Sequence, residues 1–454
     1  MKRSWFLAIL SCLIALLVCA QVEGQGIPPY RGAFTDREVR HATPVFPPPV
    51  NTTFSDPDFG SSIVRVTDEN TDLARSGSFF MSPEGPVNAW SADGRKFYLT
   101  REGGINFAFA FDPATFSFSS LPGASLQQGL RIPLRTGPTF SSRNPDLIYG
   151  TLPSAPLSIV AYRFSTGSIL PLLDTKTCGT NPPLATNMTS DYIITASAGD
   201  NRVVISEGAK AFGAHMFVTV YDKRLGCRWY NTQTGQIGGR WGIVGHASIG
   251  DRYLIRHAAI SGNGRYVKIS VDHFGFYVWD IATLKVTACP SEGGPNCAGY
   301  GALGYSSYIN AAGTIDEMNT IKRSLGNLAA RYELVHPLEL PHFWEMEKRF
   351  AWSNGRLNNN APVCGATYSY DGDTVIARPY DGEIFCIETD GLQSTIWRFA
   401  HNRAAWDPKY YYSAPFVSIS PDGRFLLFTS SWDNQLGPGR NGGPRTDVWI
   451  ISLD

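Results

Sequence analysis

The chain has 454 residues, 43% of them hydrophobic and 17% charged, enough for one large core or two ordinary ones. Lys+Arg and Asp+Glu both number 39, so bulk charge does not favour nucleic acid or an anionic membrane surface as a partner. Gly (45), Pro (30) and aromatic residues (13%) are abundant, which suits many short strands joined by turns.

The first elements read as export. Lys2 and Arg3 precede the apolar run WFLAILSCLIALLV, and Val18-Cys19-Ala20 offers a cleavage site before Gln21, so residues 1–20 are expected to be a signal peptide. A lipidated Cys19 is disfavoured by Val18, where a small residue is expected. No later run approaches the ~18 apolar residues of a membrane span. The mature chain is therefore expected to be secreted or periplasmic, and a monomer. Beyond Cys12 and Cys19 there are six cysteines, which in an exported chain read as disulfides: Cys289–Cys297 across a Gly/Pro loop, Cys364–Cys386, and Cys178–Cys227 by elimination. Close C-x-x-C pairs, which a zinc site needs, are missing from the sequence. Asn51-Thr52-Thr53 and Asn187-Met188-Thr189 are N-glycosylation sequons.

Residues 21–60 are Pro-rich and aperiodic (VFPPPVNTTFSDPDFG), an extended arm. From residue 61 to 454 the pattern is strand, turn, strand. A turn of the form S-x-[D/N]-G recurs in SADGRKFYLT at Ser91, SGNGRYVKIS at Ser261, SYDGDTVIA at Ser369 and SPDGRFLLFTSS at Ser420. Its Ser and Asp or Asn side chains can cap nearby N–H groups, and Gly supplies the positive φ. With FSSRNPDLIYG at Ser141 and SAGDNRVVIS at Ser197, the spacing is roughly fifty to sixty residues, about four strands per unit, as in a β-propeller. Seven inner strands are expected, near Asn88, Pro138, Ile193, His257, Tyr305, Phe350 and Phe416. The last unit supplies only APFVSIS, RFLLFTSS and DVWIISL, and SSIVRVTD (residues 61–68) is the expected fourth strand, closing the ring. TIDEMNTIKRSLGNLAARYEL carries a capping box and helical spacing, so it reads either as a helical insertion or as two strands. WSNG and YSYDG lie too close together for both to open separate blades, which leaves six or eight blades open.

The WSADGRKFYL and ISPDGRFLLFTS units resemble the repeats of the TolB-like (WD40-like) propeller superfamily, over most of residues 61–454. That superfamily includes exported binding proteins and carbohydrate-active enzymes, among them the seven-bladed oligogalacturonate lyases. The resemblance implies an all-β propeller. It does not extend to the metal cluster of those lyases, whose motif is not recognisable here.

Gly299-Tyr300-Gly301-Ala302-Leu303-Gly304 matches G-x-G-x-x-G but precedes a strand in a β chain, so no nucleotide cofactor is expected. In a propeller, the connections into each inner strand share one face with the second-to-third strand loops. That places Asn88, Arg256, His257, Tyr300, His342, Arg349, His401, Asn402, Arg403 and Tyr410–Tyr412 around one funnel, with Arg101, His215, His246 and His273 nearby. Histidine, tyrosine and arginine without a carboxylate pair suit β-elimination of a uronate polysaccharide better than hydrolysis. Arg256 or Arg403 would neutralise the uronate carboxylate, His257 or His401 with Tyr300 would move the protons, and Asn88 and His246 would bind substrate. A divalent-metal version would use His257, His401 and His246 or His342. The alternatives are a glycan- or protein-binding propeller without catalysis, or a glycoside hydrolase.

Overall fold

The computed structural model describes residues 30–454 except 73–76, 82–86, 125–128, 136, 180–187, 210–214, 243–244, 248–251, 272–274, 290–300, 311–319, 336–345, 353–356, 370–377, 391–394, 406, 408 and 441. The expected signal peptide, Tyr300, His273 and His342 lie outside the described residues.

The recurring turn forms as its chemistry dictates. Ser91 Oγ donates to Asp93 Oδ1 at 2.6 Å, and the N–H groups of Lys96 and Arg95 donate to Ser91 Oγ and Asp93 Oδ1 at 2.8 and 3.0 Å. Gly94 takes φ +67°. Ser261–Asn263 and Ser420–Asp422 repeat the contact at 2.7 and 2.6 Å. Each such turn joins a first strand to a second. Ser369 instead ends the second strand of its sheet, Val363–Ser369, and the rest of its SYDG lies outside the described residues. WSNG at Trp352 falls in the first-to-second connection, which resolves the crowding of two turns in that unit.

All-antiparallel sheets follow in chain order. The first comprises Phe79–Phe80, Lys96–Arg101, Ile105–Asp112 and Ser117–Ser120, with Leu130–Ile132 added beside the third strand. The second comprises Thr139–Phe140, Leu147–Leu152, Ala155–Arg163 and Ser168–Asp174. A ten-stranded sheet joins two runs, among the described residues through the pair His215↔Ile255. Its first run is Thr189–Ala196, Arg202–Gly208, His215–Asp222 and Gly226–Asn231, extended outward by Gln236–Gly239 and Gly245–His246. The other is Ile255–Ile260, Tyr266–Val271, Gly275–Asp280 and Val286–Ala288. Then come Gly301–Leu303, Ser307–Asn310, Thr320–Ser324 and Asn327–Val335, and Met346–Ala351, Val363–Ser369, Glu383–Ile387 and Ile396–His401. The last sheet takes Val417–Ile419, Phe425–Ser430 and Asp447–Ser452 from the C-terminus, and Ser62–Arg65 and Thr53–Ser55 from near the N-terminus.

First strands of neighbouring runs lie against one another, a β-propeller arrangement. Both faces of a sheet are then covered by its neighbours. That is why Phe425–Ser430 and Glu383–Ile387 are buried along their whole length rather than at alternate positions. Aromatic side chains fill the wedge between the last sheet and the first, where Phe425 packs on Phe111 and Phe116, and Trp90 Nε1 donates to Ser418 O at 3.1 Å.

Two expectations are refined. The fifth first strand is Gly301–Leu303, and the stretch from Tyr305 forms the second strand, Ser307–Asn310. A Cβ at Gly304 would stand 2.5 Å from the Trp352 ring, so the glycine there permits close packing. The segment with helical spacing is two strands, Thr320–Ser324 and Asn327–Val335, because cross-strand pairing and burial override local propensity. Among the described residues the only helical elements are two 3₁₀ turns, Thr175–Thr177 and Tyr411–Ser413. Cys178–Cys227 and Cys364–Cys386 are bonded as expected. Cys289 is also disulfide-bonded, to a partner outside the described residues.

The last sheet is locked by charge. Asp447, fully buried, accepts from Arg65 Nη2 at 2.5 Å and Arg445 Nη2 at 3.0 Å, and from Thr67 Oγ1 at 3.2 Å. Removing one partner of such a pair strands a buried charge. Asp447→Ala is therefore expected to lower unfolding stability by roughly 3–5 kcal/mol, read from urea midpoints. A loss below about 1 kcal/mol, the level of an exposed pair, would contradict it.

Candidate functional site

Residues in the connections between sheets bond to the ends of neighbouring strands. Asp72, ahead of the first sheet, pairs with Arg101 at the end of its second strand. Arg135 Nη1 reaches Thr189 Oγ1 and Ser190 Oγ, both at 3.0 Å. Asn402 Nδ2 donates to Thr367 O at 2.7 Å, and Ser430 Oγ to Arg403 O at 2.9 Å. Satisfying the irregular backbone of these connections is thus one task of their polar side chains.

The named residues are placed as follows. His257 lies buried on the first strand of its run, its Nε2 2.9 Å from Ser270 Oγ on the paired strand. Burial, with Lys268 and Arg256 nearby, holds its pKa well below the usual value, so the ring is neutral at pH 7. Arg256, beside it, is half-buried. His401 ends the last strand of its sheet, and is also buried. Phe59 of the N-terminal arm packs edge-on against its ring at 5.1 Å, and Asp58 Oδ2 is 3.7 Å from Nε2. Burial pushes its pKa down to about 4, with Asp58 pulling upward and Arg403, Arg398 and His41 adding to the depression. Arg403, at φ +52°, stacks over Trp432 and donates to Thr43 O at 2.8 Å and Asp433 Oδ2 at 3.3 Å. Asn88 bridges two sheets, its N–H donating to Thr139 Oγ1 at 3.1 Å and its carbonyl accepting from Phe140 N–H at 2.9 Å. His246 is exposed on the outermost strand of its run.

His257 therefore stands on the first strand of its run, and His401 on the last strand of a different sheet. The grouping that forms at His401 is instead His401, Asp58, Asp56 and Arg403. Asp56 Oδ1 accepts from the N–H groups of Asp58 and Phe59, both at 3.0 Å, and burial raises its pKa. Asp58 also accepts from Thr43 N–H at 2.8 Å and Thr43 Oγ1 at 2.6 Å. Two of these residues come from the arm, whose lack of periodicity hid them. Among the described residues no three His, Cys, Asp or Glu side chains gather to hold a metal ion, so His257, His401 and His246 do not form the ligand set considered above.

A second group contains His215, named above, and Glu207, which escaped notice in the sequence. Glu207, near the end of an apolar strand, is fully buried and accepts from Thr219 Oγ1 at 2.7 Å. Burial pushes its carboxyl up to about 7, Thr175 and Thr219 pull it down, and Asp174 adds to the rise. On the same strand, Ser206 Oγ is 3.3 Å from Nδ1 of buried His215, whose pKa burial and Arg135 push down to about 4. The sequence signal was the lone carboxylate closing VVISE.

No protein-family model and no curated protein matches the chain. Among solved structures it is similar to an oligogalacturonate lyase from Vibrio parahaemolyticus, with 11% identity and TM-score 0.51, covering 89% of this chain and 96% of that one. An oligogalacturonate lyase in complex with manganese aligns over 89% and 96% at 10% identity and TM-score 0.43. The Cps50 (Swd1) β-propeller domain from Myceliophteria thermophila aligns over 83% and 96% at 10% identity and TM-score 0.41. At such identities the likeness is one of fold. The arrangement is that of a β-propeller.

The two depressed or raised pKa values predict opposite pH dependences. His401 is neutral in the fold, so the stability it supports is intact above the unfolded value near 6.5 and declines as pH falls toward 4. The stability difference between the wild type and His401→Gln is expected to shift against the wild type by up to about 3 kcal/mol between pH 7 and pH 4, measured by urea unfolding. Glu207 prefers its protonated form, so its contribution is lost as pH rises from about 4.5 to about 7. Glu207→Gln should gain on the wild type by up to about 3 kcal/mol over that interval. Parallel curves for wild type and variant would refute either assignment.

Proposed function

We propose that the chain is an exported propeller of seven four-stranded blades, its ring completed by Ser62–Arg65, that cleaves uronate-containing polysaccharide by β-elimination. The ten-stranded sheet counts as two blades in this reading, because among the described residues one residue pair joins its two runs. The observation that carries the functional reading is the fold likeness, over 89% of this chain, to a lyase of oligogalacturonate. The adjacency of a histidine, a carboxylate and an arginine at His401, Asp58 and Arg403 is consistent with it.

Elimination needs the uronate carboxylate neutralised so that C5–H becomes acidic. A base takes that proton, the C4–O bond breaks as the C4–C5 double bond forms, and an acid protonates the leaving oxygen. Arg403 or Arg256 is assigned to the carboxylate. His401 or His257, neutral at pH 7, is assigned the C5 proton, and Tyr300 the leaving oxygen. Asn88 and His246 are assigned to substrate further along the face. Asp58 joins the set as the group that raises the basicity of His401.

A second reading, glycan or protein binding without catalysis, draws on a specific observation. His257 is tied to Ser270, and Arg403 to Thr43 and Asp433, so these groups already have structural partners.

Incubation with a panel of uronate polysaccharides, with and without a chelator, separates the two. Elimination is expected to produce the ultraviolet absorbance of an unsaturated uronate, and His401→Asn to lower its rate by roughly 10²–10⁴. Retained binding with no absorbance from any substrate favours the second reading, and hydrolysis products without unsaturation favour a glycosidase.

A further inference from the structure

The last sheet ends in a short strand that begins at a sequon. Asn51-Thr52-Thr53 is one of two sequons in the chain, and the other, at Asn187, lies outside the described residues. Asn51 is exposed, at φ +60°, a left-handed conformation that asparagine tolerates better than most residues. Its backbone is pinned: its N–H donates to Arg65 O at 2.9 Å, and Thr52 N–H donates to Pro49 O at 3.2 Å. Its Oδ1 accepts a long contact from Phe118 N–H at 3.4 Å. Thr52 and Thr53 are exposed as well. Thr53 opens the strand Thr53–Ser55, the outer edge of its sheet.

We propose that Asn51 is an N-glycosylation site. The co-substrate class is a polyprenyl-diphosphate-linked oligosaccharide of a eukaryotic-type secretory pathway. Nδ2 attacks the anomeric carbon, the N–C bond forms as the C–O bond to the diphosphate breaks, Nδ2 gives up one proton, and the lipid diphosphate leaves. The disulfides Cys178–Cys227 and Cys364–Cys386, with a third at Cys289, belong to the same oxidising route. A sequon in an exposed turn is where such a transfer is sterically open.

The position has a structural consequence. Asn51 reaches from the last sheet to Phe118 in the outer strand of the first, Ser117–Ser120. A glycan there stands over the outer seam between the two sheets and beside the edge strand Thr53–Ser55. It would shield that edge from pairing with a second chain.

The test is expression of the full chain, with its own N-terminus, in a eukaryotic secretory host. The readouts are electrophoretic mobility before and after an amidase that releases N-glycans, and the mass of the peptide containing residue 51. The expected result is a glycosylated peptide that is converted to the aspartate form by the amidase. Asn51→Gln and Thr53→Ala should each remove one glycan increment, whereas Asn51 in a Thr53→Ser chain stays modified. Asn187→Gln, the control for the other sequon, leaves the residue-51 peptide unchanged. If Asn51→Gln fails to accumulate, the wild-type peptide mass still decides the matter. An unmodified Asn51 in the wild-type chain, secreted or retained, overturns the proposal.

Discussion

The pair of Arg65 and Asp447 joins the two ends of the chain, and much of the architecture depends on it. Asp447 is fully buried, so its charge is tolerable only with a cation beside it, and Arg65 comes from more than 380 residues earlier. Apolar strands alone could pair in several registers. A buried carboxylate facing Arg65, Arg445 and Thr67 accepts only the register in which Arg65 opposes Trp449 and Ile63 opposes Ile451. The aromatic wedge of Phe425, Phe111 and Phe116 then has its two walls in place.

The N-terminal arm follows the same principle of satisfied polarity. A Pro-rich segment has few N–H donors and no ladder, so its carbonyls need partners from elsewhere. Arg398 donates to Asp36 O, Arg403 to Thr43 O, Trp432 Nε1 to Val45 O and Arg65 to Pro48 O. Tyr30, buried, donates to Gly423 O at 3.0 Å. Arg398, fully buried, is held by Glu383 at 2.6 Å and Asp36 at 2.8 Å. The arm is thereby a strap across the last two sheets, and it also sets the chemistry of the face it covers. Phe59 excludes water from His401, which depresses the imidazole pKa, and Asp58 opposes that depression. Any proton transfer at His401 is therefore governed by Asp58 and Phe59 of the arm as well as by Arg398 on its own strand.

The turns were legible in the sequence because their chemistry is local. Ser, Asp or Asn, and Gly satisfy one another's geometry within a few residues, so SADG, SGNG and SPDG form alike in three different sheets. The strand Ser62–Arg65 was legible for a related reason: a unit one strand short needs another, and an alternating apolar segment stood unused near the N-terminus. Local pattern failed where it competed with tertiary pairing. Ile321, Leu325 and Leu328 have helical spacing, yet all three are buried on paired strands or in the turn between them. It also misplaced one strand, since Gly301–Leu303 is too short and glycine-rich to stand out beside Tyr308 and Ile309.

What the sequence by itself determined is the all-β composition, the turns, and two of the disulfide pairings, because each depends on short-range chemistry or on a small set of alternatives. Only the tertiary structure decided which polar groups are buried together. It put Asp58 of an aperiodic arm against His401, gave Glu207 its raised pKa, and tied His257 to Ser270. The physical reason is that desolvation and charge pairing are properties of packed surroundings. A residue's neighbours in space, not along the chain, set its dielectric and its partners.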